Sequence, residues 1–269
     1  MLRGTAAFFL AWLSAFKVLL LALALGPLHP GLPLLPFLLT ALLPVKLRPS
    51  AAAAAGDASE PKSSFPLLVK VAAIATILRL YESSSIQMLP RHARLAVYGI
   101  HIYLFLDLLL PSISAAVGAA LGGGMELEPP FDRPYMAASL REFWGRRWNL
   151  MVPAILRPSV YGPVRAVAGR EAAVLAAFLV SGLMHEAMVY YMLLRPPTGE
   201  MAAFFLLHGG LCLAEEWCAC RWRWWWRPPR PVATGYGGEE LLLEEWVAVA
   251  AFFHDAGRKL LRYSVSWID

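Results

Sequence analysis

Asparagine occurs once in this chain of 269 residues, at Asn149, cysteine occurs three times, and only 16% of the residues are charged. So few charges cannot clothe a soluble particle in which 58% of residues are apolar and the mean hydropathy is +0.54. One compact soluble core cannot hide that much apolar surface, so lipid must cover part of it. Cys212, Cys218 and Cys220 lie close together beside an Arg-rich run, which argues against a disulfide framework. The Cys-Ala-Cys pair could bind metal or accept palmitate; packing by small polarizable side chains is the preferred reading, and no metal site is expected. Motifs are missing too. There is no Gly-rich phosphate loop, Gly-x-Ser-x-Gly elbow or dinucleotide fingerprint. The His-Glu pair at 185 and 186 continues Ala-Met-Val, so the second His of a zinc-protease motif is absent.

What is present comes in blocks. The net charge of +5 is carried by short basic segments between apolar runs, which is how charge that sets membrane topology is distributed. A nucleic-acid-binding domain would instead display Lys and Arg on a solvated face, so nucleic acid is not an expected partner. About 20 apolar residues at roughly 1.5 Å rise cross a hydrocarbon core of about 30 Å. Residues 5–25 form such a block, read as a retained span rather than a signal peptide because further apolar blocks follow; Lys17 within it either snorkels or faces the bundle interior. Residues 32–44 are too short to cross and read as re-entrant or interfacial. Residues 65–80 are a marginal span, and 95–121 are long enough, with Pro111 allowing a kink and Gly122 to Gly124 ending the helix. His101 and Asp107 inside this block fall on different faces, so they imply no joint site. Blocks 172–194 and 201–219, joined by RPPTGE, read as a helical hairpin. Residues 46–64 read as a low-complexity linker, 129–170 as a motif loop at the membrane interface, and 221–269 as a basic, aromatic belt with a polar tail. The fold class that follows is an all-α integral membrane protein, a multi-span helical bundle with interfacial helices.

Charge orients the hairpin. Between Arg133 and Arg170 there are seven Arg against Glu142 alone, and between Arg221 and Arg230 four Arg with no acid. Two spans place both basic flanks on one side, which the positive-inside rule makes cytosolic. His185 then lies roughly 18 Å along its helix, close to mid-bilayer. An ionisable side chain at that depth either serves function or is a core His bonded to a neighbouring helix. Glu186 beside it favours a polar pocket.

The run SLREFWGRRWNLMVPAILRPSVYGPVR at 139–165, followed by VSGLMHEAMVYYM at 180–192, resembles the plant wax synthases of the membrane-bound O-acyltransferase superfamily. The similarity extends upstream through AWLSAFKVLLLALALGPL and HIYLFLDLLL, so a wax-synthase-like membrane domain is expected over residues 1–220. In that family an Asn in a Trp-Asn motif and a His in a hydrophobic helix mark the active site; here these are Asn149 and His185. The resemblance implies helices around a reaction chamber in the endoplasmic reticulum membrane. Fatty acyl-CoA enters as co-substrate and a long-chain alcohol or sterol as acceptor, with membrane lipids as surroundings and no cofactor. His185 suits a general base toward a lipid hydroxyl, and Asn149 can donate to the developing oxyanion. A capping or turn role is the structural alternative for Asn149. Arg146 and Arg147 are placed to attract the phosphates of coenzyme A, a role compatible with setting topology. Trp144 and Trp148 either line the site or anchor the interface, with anchoring preferred, and His208 is expected to pack beside Gly209 and Gly210.

Wax synthases usually carry additional apolar segments before the element that starts at Ala6 and another span after the basic Trp stretch. Here ATGYGGEELLLEEW stands in that second place, as in a shortened product. Three readings therefore stand: a wax-ester-forming acyltransferase, an acyltransferase with a sterol or glycerolipid acceptor, and an inactive lipid-binding membrane protein. Catalysis further requires the basic loop to dip toward the helix, so that Asn149 and His185 share a cavity.

Overall fold

The computed structural model describes residues 9–48, 66–83, 85–122, 127–194 and 196–221. Most of the expected linker 46–64, and the belt and tail beyond Arg221, lie outside the described residues. Within them the chain is helical, with no strand and one isolated antiparallel bridge, Leu47 to Leu127. We number the main helices α1 (Ala15–Ala22, continuing a π-helical stretch Phe9–Ser14), α2 (Leu34–Leu42), α3 (Leu67–Glu82), α4 (Arg91–Ala120), α5 (Met151–Leu156), α6 (Gly162–Leu193) and α7 (Glu200–Arg221).

Local chemistry sets the helix ends. Pro33, Pro66 and Pro90 each immediately precede a helix in an extended conformation, and a proline leaves no amide to satisfy there. Gly122, at φ +68°, closes α4 by returning its N–H to Ala119 O. Gly169, at φ +85° and ψ −178°, breaks α6, so the span proper starts at Arg170. Pro111 lies inside α4 without ending it. Three stretches are long and apolar enough to cross a membrane: Ala96–Ala120, Glu200–Arg221 and the α6 portion of Met151–Tyr191. Helix α3, with 16 residues, reaches only about 24 Å and falls short of the core, as its marginal block length implied.

The α6–α7 hairpin is held by small residues. A Cβ on Gly182 would sit 2.7 Å from Ala202 Cα, and one on Gly209 would sit 3.1 Å from the Phe178 side chain. In lipid, where apolar side chains gain little by leaving the solvent, such close backbone approach is what brings helices together. The outward face of α6 carries Leu175, Leu179 and Leu183 at helical spacing, all exposed and available to lipid.

Buried charge joins the other elements. Lys17, 0% exposed, donates to the carbonyls of Thr40 (2.6 Å), Leu43 (2.7 Å) and Val45 (3.1 Å). Thr40 lies in the last turn of α2 and Leu43 just beyond it, where carbonyls lack intrahelical partners and a cation is favoured by the helix dipole. Of the two fates for Lys17, the fold chooses the interior. Lys70 of α3 meets Asp107 of α4 at 2.8 Å with both side chains buried, while His101 on another face of α4 bonds the Tyr81 hydroxyl at 3.1 Å. Sequence spacing had separated those two residues, and the fold does so. Leu13, Leu20, Met151 and Ile155 form one apolar cluster, and Leu156 with Met184 form another, which docks α5 between the N-terminal helix and α6.

Candidate active site

Residues 127–150 hold only short helical turns, and several of their backbone bonds run between separate parts of the segment. Asp132 N–H donates to Arg147 O and Leu150 N–H to Pro130 O, both at 2.9 Å, so residues 130–132 brace the chain on either side of Asn149. Ser139 caps a short turn by accepting from Glu142 N–H (3.0 Å), and Glu142 accepts in return from Ala138 N–H (3.0 Å), a reciprocal capping arrangement. The Glu142 carboxylate then binds Arg147, at 2.8 Å from Nε and 2.7 Å from Nη2, and Arg147 Nη1 donates to Asp132 O at 3.0 Å.

Asn149 stands at the exit of this brace with φ +40°, in the left-handed region that asparagine tolerates better than most residues. Its carbonyl accepts from Val152 N–H at 2.9 Å and so starts α5. The half-buried side-chain amide makes no hydrogen bond to another described residue. The turn role weighed for this residue is therefore real for its backbone, and it leaves the amide available.

His185 sits on the regular part of α6. Its Nδ1 lies 2.7 Å from Ser181 O. A carbonyl only accepts, so Nδ1 carries the proton and Nε2 keeps its lone pair. Phe205 of α7 covers the imidazole at 4.4 Å between ring centres. An aromatic chain links the two sites: Trp148 packs on Phe143 (5.4 Å, stacked) and Trp144 (6.5 Å), and Trp144 packs on Phe205 (5.7 Å) and His208 (5.8 Å). Both tryptophans thus take part in interior packing, whereas the sequence had favoured anchoring at the membrane surface. The basic, Trp-rich context of the loop suggested an interface and could not reveal that its aromatic faces turn inward.

A cavity of about 470 Å³ lies beside this chain. Its wall includes Trp144, Val152, Phe178, Ser181 and Phe205 together with Arg141, Arg157, Arg170 and Glu216. The cavity is lined by the hydrogen-bond partners of both candidates, Ser181 for His185 and Val152 for Asn149, while neither candidate is on its wall, so this cavity is not the shared one expected from the sequence. Two other candidates have structural tasks. Glu186, buried, accepts from the first amides of α7, Met201 N–H at 2.8 Å and Ala202 N–H at 3.4 Å; a carboxylate is favoured at a helix N-terminus. Arg147 is the strut described above, and Arg146 is exposed outside the cavity wall. His208, 1% exposed, bonds Phe204 O at 2.8 Å and packs against Trp144 and Phe204, a packing role as expected although its neighbours are aromatic rings rather than the glycines named from sequence. The arginines on the cavity wall were not singled out from sequence; the available signal was the acidic pair Glu215 and Glu216 inside an apolar block. Among the described residues no cluster of His, Cys, Asp or Glu could hold a metal ion.

Residues 127–207, which contain Asn149 and His185, match the model of the Membrane bound O-acyl transferase family. The chain is 42% identical over 238 residues to an Arabidopsis thaliana protein named "Probable long-chain-alcohol O-fatty-acyltransferase 1", covering 84% of this chain and 68% of that one. It is 37% identical over 294 residues to the acyl-CoA–sterol O-acyltransferase 1 of the same plant, covering 97% and 84%. It is 40% identical over 232 residues to the long-chain-alcohol O-fatty-acyltransferase of Simmondsia chinensis, covering 80% and 64%. With spanning helices, a motif loop braced against them and relatives this similar over most of its length, the chain belongs to the long-chain-alcohol O-fatty-acyltransferase (wax synthase) branch of the membrane bound O-acyl transferase family.

Proposed function

We propose that this protein transfers a fatty acyl group from acyl-CoA to the hydroxyl of a long-chain alcohol, forming a wax ester. The observation that carries the reading is His185: an imidazole deep in a span, fixed through Nδ1, with its Nε2 lone pair available. His185 Nε2 takes the proton of the alcohol as the alcohol oxygen attacks the thioester carbonyl. The C–O bond forms, the tetrahedral oxyanion collapses, the C–S bond breaks, and the imidazolium returns its proton to the departing thiolate. Asn149 donates its amide N–H to the oxyanion, a contact whose removal costs about 2.7–4 kcal/mol in other enzymes. Acyl-CoA is a co-substrate, and the reaction as drawn needs no cofactor.

The relatives' names support the alcohol acceptor, and the long alignment to a sterol acyltransferase supports a sterol as the second choice. The reading includes residence in the endoplasmic reticulum membrane, which follows from the wax-synthase resemblance and is checked by imaging a tagged chain. The test of activity is expression in a host without neutral-lipid acyltransferases, with labelled acyl-CoA and fatty alcohol, sterol or diacylglycerol supplied separately. Wax ester as the main product is expected. Sterol ester instead would move the acceptor, and no ester with any acceptor from well-expressed protein would leave a lipid-binding protein without catalysis.

A further inference from the structure

Pro111 leaves a gap in the backbone ladder of α4, and charged groups gather there. A proline has no N–H, so the carbonyl of Asp107, four residues earlier, loses its helical donor. Lys70 of α3 takes that place: its Nζ lies 3.5 Å from Asp107 O and 2.8 Å from the Asp107 carboxylate. The Tyr103 hydroxyl, one turn before Asp107 on the same face of α4, donates to that carboxylate as well. Asp107 lies near the middle of the 96–120 span. Apolar replacements of a buried ion pair are often neutral or stabilising, so stability alone does not account for this one, and ionisable groups at such depth mark function.

The Tyr103 ring carries the position of Asp107 into the motif loop. It packs on Phe131 at 6.1 Å between ring centres, on Tyr135 at 6.4 Å and on Trp148 at 6.2 Å. Phe131 and Trp148 pack on each other at 5.1 Å. Phe131 stands between Pro130 and Asp132, whose backbone bonds brace Asn149, and Trp148 immediately precedes the left-handed turn at Asn149. A shift of Tyr103 is thereby passed to Asn149 from both sides.

We infer that Tyr103 is a positioning residue for Asn149: held by the Asp107–Lys70 pair, its ring fixes Phe131 and Trp148 and so aims the Asn149 amide. The inference rests on the proposed acyl transfer for the role of that amide.

The test measures esterification, unfolding in detergent and amide hydrogen exchange in nanodiscs, all on the full chain. Tyr103→Phe keeps the ring and the ion pair and loses only the hydroxyl. It is expected to lower kcat about tenfold, with KM for acyl-CoA and alcohol within about twofold of wild type, unfolding unchanged and exchange faster at residues 147–152. The triple change Lys70→Met, Asp107→Leu and Pro111→Ala replaces the pair by apolar groups and returns a helical donor to the carbonyl at 107. Stability is expected to hold or rise while kcat falls to the Tyr103→Phe level, and adding Tyr103→Phe should lower it no further, because all act on one strut. A network that serves only folding would lose activity in step with stability. Wild-type kcat in Tyr103→Phe, additive losses, or activity that tracks stability would each overturn the inference. Exchange decides independently of turnover. Faster exchange at 147–152 in both variants of a chain that forms no ester would sustain the strut while refuting the transferase reading; unchanged exchange in a chain that forms ester would do the reverse.

Discussion

His185 and Asn149 are held in place by two different kinds of structure. The first is on the regular part of α6 beyond the break at Gly169, its ring fixed by a carbonyl one turn earlier, in a hairpin whose partner helix passes close at Gly182. The second is in a loop with a left-handed backbone, held by bonds to residues 130–132 and by the Arg147–Glu142 pair. A regular element gives position through repetition, so small changes are shared along it. An irregular one gives position through a few specific bonds, and each loss is felt locally.

Substitutions can break that contrast. The largest effect is expected for His185→Ala, which removes the base and should lower the rate by about 10²–10⁴-fold at unchanged protein level; ester formed at the wild-type rate would remove His185 from the mechanism. Next is Asn149→Asp, which keeps a residue tolerant of positive φ but loses the N–H donor, with an expected loss of about 10²–10³-fold in kcat. Asn149→Gly sharpens this: it suits the backbone even better, so wild-type turnover in that variant would reduce Asn149 to a turn residue.

Gly182→Val tests the hairpin. Its Cβ would meet the Ala202 backbone, so unfolding in detergent should shift by about 1–3 kcal/mol, with activity falling alongside stability. The smallest effect is expected for Glu186→Ala, which uncaps α7 at a cost of about 1 kcal/mol, while Glu186→Gln, still an acceptor, recovers most of it. A collapse of kcat in Glu186→Gln at normal stability would instead return Glu186 to the chemistry.

The difference between the two regions also explains which of them could be read in advance. The helix around His185 follows from an apolar block bounded by breakers, and its hairpin from the short polar turn. The separation of His101 from Asp107 follows from helical periodicity alone. The loop offered composition, a lone asparagine among arginines and tryptophans, together with a motif that pointed to Asn149. It offered no periodicity from which to place Trp144 and Trp148 on an interior aromatic chain. For the same reason Arg147 read as a free cation until its partner Glu142, five residues earlier, was seen to be folded back on it.

By itself, then, the sequence determined membrane insertion and the spans at 95–121, 172–194 and 201–219, because these depend on block length and hydropathy, and its motif nominated the two candidate residues. Only the tertiary structure decided which charges are spoken for. Lys17 is committed to the end of α2, Lys70 to Asp107, Glu186 to the start of α7, and Arg141 and Arg170 share Glu216 on the cavity wall. Most of these pairings join residues far apart in the chain, and a charge in a low-dielectric interior takes whichever partner the packing of helices brings within reach. Local sequence does not encode that choice.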